Sequence, residues 1–283
     1  EADLIEEILR IYGYNNVEIP ARVKSTLSYA PQPDRDKLIN RAADFLTDNG
    51  FTEIMSNSLT KASYYEGLES CPANRCVRIL NPLSADLNVM RQTLLFHMLE
   101  AIELNANRKN GDLKLYELGN CYFYDEAKRT PEQPLSAYTE EYRLAIAMTG
   151  LAEPASWNAQ PVKASFFTLR AIAEKLLRRF GIDIYALKSE PLHNDLFDDG
   201  LLLALNGKEL LRIGSVGAKI RRRSGVKQEV FYLEMNFDAL IRSTKKHRIA
   251  AEELSKFPEV KRDLALLVDR SVTFAALREV AFA

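Results

Sequence analysis

The chain has 283 residues, a formal net charge of −1, 47% apolar residues and 27% charged residues. This length allows about two domains with proper cores, and the near-neutral charge gives no overall attraction to nucleic acid. No run of about 18 apolar residues is present, which excludes a membrane-spanning helix. The three cysteines, Cys71, Cys76 and Cys121, form no Cys-x-x-Cys pair and indicate packed thiols in a reducing, cytoplasmic setting rather than a zinc ribbon.

The first twenty residues predict a helix that ends at Gly13, because apolar residues recur at helical spacing from Leu4 to Tyr12. Asp3, Glu6 and Glu7 stand at i, i+3 and i+4, so their carboxylates project from one helix surface. Such a cluster suits a hard cation such as Mg²⁺. The alternative is that acids near a helix start interact favourably with its dipole.

A polar linker and a second helix follow. Residues 21–33 contain Pro31 and Pro33, which are typical of a linker. Residues 34–49 predict an amphipathic helix that Asp34 caps and Gly50 ends. Residues 51–59 then predict a strand, and residues 64–74 an irregular segment.

Residues 77–124 predict the unit around which the other elements are organised. It comprises a short strand, a break at Asn81-Pro82, an amphipathic helix, a turn at Asn110-Gly111 and a strand that starts near Leu113. We expect this unit to pack on a larger sheet.

The middle of the chain predicts a sheet with helices on it. Strands are expected at 143–149, 201–205, 210–216 and 230–237, and Asn206-Gly207 favours a two-residue hairpin turn. Residues 165–180 predict a helix that ends at Gly181, and Trp157 is interpreted as a packing residue. The fold class is therefore α+β, with an antiparallel sheet and flanking helices.

Positive charge is concentrated late in the chain. Between Lys219 and Arg248 there are nine Lys or Arg against three acids, with clusters at 221–223 and 245–248. These clusters either contact RNA phosphates or form a solvated face. His97, His193 and His247 lack metal-ligand spacing, and His97 is expected to be packed or half-exposed.

The last segment predicts one strand at 263–268 and a helix that Thr273 caps. Because the sequence stops within this helix and starts at Glu1 without a methionine, we expect a fragment of a longer protein.

Three blocks of the sequence resemble one family in the right order. Four motifs resemble the synthetase-like core of the β subunit of bacterial phenylalanyl-tRNA synthetase. They are Asn-Pro-Leu-Ser from Asn81, Met-Arg-Gln-Thr-Leu-Leu from Met90, Asn-Ala-Asn-Arg at the helix end and Leu-Tyr-Glu-Leu-Gly from Leu115. Residues 1–20 resemble the tail of the preceding helical domain. Phe257-Pro258 and Arg262-Asp263-Leu264 resemble the opening of the ferredoxin-like anticodon-binding domain.

This resemblance implies the domain organisation. Residues 1–20 would be the tail of the preceding domain, 21–33 a linker, 34–250 a catalytically silent class II aminoacyl-tRNA synthetase-like core, and 251–283 the truncated start of the ferredoxin-fold domain. The helix at 34–49 and the following strand would form a subunit interface; otherwise the helix is an ordinary amphipathic one on its own sheet.

The resemblance also implies the activity and the partners. An α subunit would activate phenylalanine with ATP in a heterotetramer of two alpha and two beta subunits, and the β chain would support assembly and help to position tRNA. The alternative is a stand-alone synthetase-like protein used for binding or regulation, without ligase activity.

The cations that this chemistry needs are not where the family's active members carry them. The strand 115–124 continues into Asp-Glu-Ala-Lys, without Phe-Arg-x-Glu, and Gly214-Ser215-Val216-Gly217 lacks a Gly-x-Gly-x-x-Arg pattern. We therefore expect this chain to be inactive alone. Arg91 is expected to hold the helix start through a charge-assisted pair.

By similarity, Asp3, Glu6 and Glu7 match the family's Asp-x-x-Glu-Glu magnesium positions. The family's fourth ligand, an Asp, would precede Glu1, so the site would be incomplete. The loop at His193 departs from the family's His-Pro-Gly-like turn.

Overall fold

A computed structural model of the chain describes residues 1–19, 21–22, 25–26, 33–244, 253 and 256–282. The chain forms two compact units, Glu1–His247 and Arg248–Ala283. Most of the expected linker at 21–33 lies outside the described residues, and so does the basic cluster at 245–248 with His247.

The secondary structure of the first unit is mixed. Its helices are α1 (Ala2–Tyr12), α2 (Arg35–Asp48), α3 (Leu95–Asn107), α4 (Phe166–Arg179), α5 (Ala218–Arg223) and α6 (Phe237–Thr244). Its strands are β1 (Thr52–Glu53), β2 (Leu59–Thr60), β3 (Val89–Met90), β4 (Leu113–Tyr124), β5 (Tyr138–Thr149), β6 (Leu151–Glu153), β7 (Val162–Lys163), β8 (Lys188–Leu192), β9 (Phe197–Leu205), β10 (Lys208–Val216) and β11 (Val230–Asn236). Among the described residues no helix is long and apolar enough to cross a bilayer.

One seven-stranded sheet carries the fold, in the order β1-β4-β5-β11-β10-β9-β8. Every neighbouring pair is antiparallel except β1 and β4, which are parallel. The α+β class is confirmed, and the expected antiparallel sheet is corrected to a mixed one. The parallel pair arises because the chain from β1 to β4 crosses over through α3 instead of turning in a hairpin.

Alternation along the strands gives the sheet two buried faces. On one face Leu144, Ile146 and their neighbours pack with α2, α4 and α6. On the other face Ala145, Ala147 and Tyr232 pack with α3 and the loops before it. Each fully buried large apolar side chain stabilises the fold by about 1.5–3 kcal/mol.

Local signals in the sequence set several boundaries. The side chain of Asp34 caps α2, and Ser165 forms a capping box with Thr168 at the start of α4. The hairpin between β9 and β10 turns at Asn206 (φ 52°) and Gly207 (φ 75°), as Asn-Gly predicts.

Four strand or packing predictions are wrong. Residues 51–59 form only β1 and the start of β2, because Ser56 turns away to bind Glu117. The expected strand before Asn81-Pro82 is reduced to one bridge between Arg78 and Val89. Trp157 is 96% exposed instead of packed, since it lies at the tip of the β6–β7 hairpin, where Ser156 pairs with Ala159.

The fourth correction concerns the second unit. Residues 263–268 form no strand in the described part of the chain. The expected helix is present as α7 (Phe274–Ala281), and the Thr273 side chain accepts a hydrogen bond from the Ala276 N–H.

Candidate functional site

A polar cavity lies on the α3 side of the sheet, where β5, β10 and β11 present charged side chains. Its volume is about 250 Å³, and it is lined by residues that include Thr93, Arg143, Arg212 and Glu234. The period of two in a strand places these side chains opposite the apolar ones that pack on α2 and α4. The cavity is therefore a concave, charged region on the α3 face of the sheet and a candidate site for chemistry.

Glu234 is the centre of the network in this cavity. Arg143 Nη1 donates to Glu234 Oε1 at 2.7 Å, and the Tyr232 hydroxyl donates to Oε2 at 2.7 Å. The Thr93 hydroxyl donates to the same Oε2. Arg143 also donates to Glu141 Oε2 through Nη2 at 2.8 Å, so its charge is shared by two carboxylates.

The electrostatics of the cavity follow from burial and pairing. Burial by itself raises the pKa of Glu234, but the adjacent Arg143 and three hydrogen bonds outweigh it and hold that pKa below its usual range. Burial, together with Glu234, raises the pKa of Cys71 to about 12. The thiol is thus protonated at neutral pH and is a poor nucleophile.

Arg212, the second arginine of the cavity, is also paired with a carboxylate. Arg212 Nη2 donates to Glu209 Oε2 at 2.9 Å, and both residues lie on β10. Arg212 lies directly opposite Glu234 in the β10–β11 register. With both guanidinium groups paired to carboxylates, the cavity offers little free positive charge to a phosphate.

A second buried hydrogen-bond network fixes the segment just before α3. Arg91 Nη1 lies 2.6 Å from Glu117 Oε1, and Arg91 Nε donates to the Asn120 carbonyl at 2.9 Å. Ser56 donates to the same carboxylate. The prediction that Arg91 acts through a charge-assisted pair is confirmed, and the pair links the start of α3 to β4.

The predicted metal ligands lie on the surface of α1. Asp3, Glu6 and Glu7 are all exposed, and Glu7 pairs with Arg10 at 2.7 Å. No group of three or more His, Cys, Asp or Glu in the described ranges is placed to hold a metal ion. These three residues alone therefore do not provide a closed ligand set for Mg²⁺.

The basic cluster at 221–223 is neither a free nor a wholly solvated patch. Arg221 donates to the carbonyls of Val216 and Gln228, at 3.0 and 2.8 Å. Arg223 donates to the carbonyls of Ser63 and Glu66. Two of the three arginines thus tie α5 to neighbouring loops.

The structure describes two of the three histidines, of which one is buried and one is exposed. His97 is buried on α3, as expected, and burial lowers its pKa. Its Nδ1 has no hydrogen-bond partner among the residues that the structure describes. His193 is exposed, with its ring at the carbonyl of Asp198. The three cysteines are free and buried, as expected.

Sequence reasoning missed Arg143, Arg212 and Glu234. The available signal was a charged residue between apolar neighbours in a strand, as in Leu-Leu-Arg-Ile and Tyr-Leu-Glu-Met. An isolated charge on a buried strand needs a partner, which predicts a buried network without saying which residues pair.

Comparisons with known proteins identify a family. Residues 19–237 match the family described as the phenylalanyl-tRNA synthetase beta chain CLM domain. The phenylalanine–tRNA ligase beta subunit of Bacteroides fragilis is 45% identical to this chain over 284 aligned positions, which cover 100% of this chain and 35% of that protein. The protein of the same description from Porphyromonas gingivalis is 42% identical over 283 positions, which cover 99% of this chain and 35% of that protein.

The chain thus spans about a third of the length of the curated relatives it matches. Among solved structures, the pyrrolysyl-tRNA synthetase from Desulfitobacterium hafniense superposes with a TM-score of 0.55 at 12% identity, covering 76% of this chain and 74% of that chain. A second structure of a pyrrolysyl-tRNA synthetase from the same organism gives a TM-score of 0.54 at 13% identity, covering 75% and 69%. The expected synthetase-like fold is confirmed by these likenesses.

Proposed function

This chain belongs to the phenylalanyl-tRNA synthetase beta chain family, and from that premise we propose that it is a non-catalytic part of a phenylalanine–tRNA ligase. The complete enzyme would join phenylalanine to tRNA with ATP, and release AMP and pyrophosphate. This chain would support the assembly of the subunits and the positioning of tRNA.

The charge pairing in the cavity on the sheet is the observation that favours a non-catalytic role. Adenylate formation needs cations that are free to meet the phosphates of ATP. Arg143 and Arg212 instead meet carboxylates of their own chain, at 2.7 and 2.9 Å. A nucleotide would have to displace Glu234 and Glu209 from these arginines, and the buried Glu234 carboxylate would remain beside its phosphates and repel them.

The Gly-rich stretch before α5 supports the same proposal. Its nearest arginine, Arg221, is bound to the carbonyls of Val216 and Gln228. A side chain held by two backbone acceptors contributes to the packing of α5 and is not available for a ligand.

Catalysis in this proposal belongs to an α subunit. The two chains would form a heterotetramer of two alpha and two beta subunits in the cytoplasm. Part of the interface would be the polar outer surface of α2, whose inner stripe Leu38, Ala42 and Leu46 packs on its own sheet. Residues 1–20 would be the tail of a helical domain, residues 34–250 the synthetase-like core, and residues 251–283 the start of a ferredoxin-fold anticodon-binding domain.

Magnesium binding at α1 is a separate proposal. Asp3, Glu6 and Glu7 would supply carboxylate oxygens, and further ligands would come from outside this group. Glu7 would have to leave Arg10, from which it is now 2.7 Å away. Calorimetric titration of Mg²⁺ into a complex that contains the chain, with Glu6→Gln as the comparison, tests this proposal.

The assembly proposal is tested by mixing this chain with the α subunit of the same enzyme. Light scattering after size-exclusion chromatography measures whether a heterocomplex forms. Phenylalanine-dependent exchange between ATP and pyrophosphate then measures activation. We expect exchange in the mixture and in no sample of this chain alone.

Two results would contradict the proposal. Exchange by this chain alone would place catalysis on it. Self-association of this chain without any binding of the α subunit would favour the stand-alone binding protein. An Arg143→Ala variant that circular dichroism shows to be folded gives a further check, because exchange by its complex should be unchanged if this cavity takes no part in activation.

A further inference from the structure

A second cavity lies on the opposite face of the sheet, beside the start of α4. Asp199 on β9, Ser215 on β10 and Phe231 on β11 are register partners, so their side chains stand next to one another on that face. The cavity above them has a volume of about 570 Å³, within the range of small-molecule sites.

Three aromatic side chains and one aliphatic side chain form the apolar part of its wall. Phe166 and Phe167 open α4, and their rings meet at 5.6 Å between centroids. Phe167 is 77% exposed, so most of its side chain faces solvent. Leu201 lines the floor beside Phe231. An apolar body of a ligand would cover surface that now faces water.

The charged side chains at this cavity differ in whether other groups of the chain form hydrogen bonds with them. Asp198 accepts a hydrogen bond from the Ala218 N–H at 2.9 Å and so caps α5. Arg221 is bound to two backbone carbonyls. Asp199 and Glu229 are both exposed to solvent, and among the described residues no side chain or N–H is hydrogen-bonded or ion-paired to either carboxylate, so both are available to a ligand.

We propose that this cavity binds a small organic cation, namely an ammonium or guanidinium group on an apolar body, with Asp199 and Glu229 as the anionic partners and the Phe167 ring as the apolar one. The carboxylates attract the charge, and the face of the Phe167 ring adds a cation–π attraction. The proposal does not depend on the function proposed above.

The sign of the local charge decides against an anion. The start of α4 carries roughly half a positive charge. Of the charged side chains that line the cavity, Asp198, Asp199 and Glu229 carry three negative charges and Arg221 carries one positive charge, and this net −2 outweighs the helix start. A phosphate or carboxylate ligand would meet this excess at close range.

The test uses the full chain and 2-phenylethylamine as the probe. Calorimetry and ligand-observed NMR should give a dissociation constant of roughly 1 mM for so small a ligand. The neutral analogue 2-phenylethanol has nearly the same shape and should bind about tenfold more weakly. Binding of the amine should weaken with added salt, because the carboxylates are partly exposed.

Variants identify the residues. Asp199→Asn or Glu229→Gln should weaken binding about threefold each, and the double variant about tenfold. Phe167→Ala should weaken it as well, whereas Glu132→Gln, which removes an exposed charge in the loop before β5, should leave it unchanged. Circular dichroism checks that each variant is folded.

Three results would overturn the proposal. These are equal affinity for the amine and the alcohol, unchanged affinity in the folded double variant, and no binding at concentrations about tenfold above the expected dissociation constant. Weakening by Glu132→Gln to the same extent as by the double variant would indicate general attraction of cations by the surface, and would also contradict it.

Discussion

Arg91 and Glu117 form an ion pair that is almost completely withdrawn from water. The Nη1 to Oε1 distance is 2.6 Å, and the two side chains are 4% and 2% exposed. Removal of one partner leaves an uncompensated buried charge. We expect Arg91→Met to lower the free energy of unfolding by about 3–5 kcal/mol, measured by urea denaturation with circular dichroism as the signal.

The matched control for this variant is the exposed pair of Arg10 and Glu7. Arg10→Gln should change stability by less than about 1 kcal/mol. Combining Arg91→Met with Glu117→Leu should recover part of the loss, because no buried charge is then left. A double variant less stable than Arg91→Met would argue against a pair that acts mainly through charge.

Gly119 allows the Arg91 guanidinium to pass close to β4. A Cβ atom at this position would lie against Arg91 Nη2, well inside normal contact. We expect Gly119→Ala to lower the free energy of unfolding by about 1–3 kcal/mol through forced displacement of the arginine. Gly111→Ala is the comparison, since its nearest new contact is at 3.4 Å; an equal loss in both would refute the steric explanation.

Glu234 links stability to acid. Burial opposes its ionisation, but Arg143 outweighs burial and lowers its pKa in the folded chain. The stabilisation is present above the ordinary glutamate pKa of about 4.3 and is lost as the pH falls through the lower folded pKa. Glu234→Gln should therefore be less stable at pH 7 and lose less on acidification. Parallel stability profiles for the two proteins below about pH 4.3 would contradict this assignment.

His97 makes stability depend on pH in a higher range than Glu234 does, and the cause is burial rather than an ion pair. Burial lowers its pKa, so the folded chain resists a proton that the unfolded chain accepts below about pH 6.5. Stability should fall as the pH decreases from about 6.5. His97→Gln should remove this dependence, and exposed His193→Gln should keep it. Urea unfolding curves at several pH values around and below about 6.5 compare the three proteins.

Trp157 should behave as a tryptophan in water, since it is 96% exposed. Its emission is expected at the long-wavelength limit already in the folded chain, with efficient quenching by acrylamide and little shift on unfolding. It is the single tryptophan of the sequence, so the signal is unambiguous. A blue-shifted emission that moves to longer wavelength in urea would indicate that the residue is packed.

Local chemistry explains what the sequence could predict. The Asn206-Gly207 turn, the caps at Asp34 and Ser165 and the periodic faces of α2 and α4 each depend on residues that are near in sequence. Strand pairing depends on distant residues. The sequence therefore predicts neither the parallel β1–β4 pair nor the absence of a strand at 263–268.

The contacts of the two buried charged networks likewise join residues that are distant in sequence. The sequence predicts that Arg91 is paired, but it does not identify the partner Glu117, which lies 26 positions away. Arg143 and Glu234 are 91 positions apart and meet because β5 and β11 are neighbours. Exposure of Trp157 depends on its place at a hairpin tip, which composition alone did not reveal.

The position of β11 sets the order in which the sheet is completed. This strand is the last of the seven in the chain, yet it lies between β5 and β10. During synthesis on the ribosome, the β4–β5 hairpin and the three-stranded meander β8–β9–β10 emerge before β11, and each has one edge that pairs with β11 in the complete sheet. Until residues 230–236 have emerged, these two open edges are sites for wrong pairing, which makes nascent chains that stop before Val230 the species most exposed to aggregation.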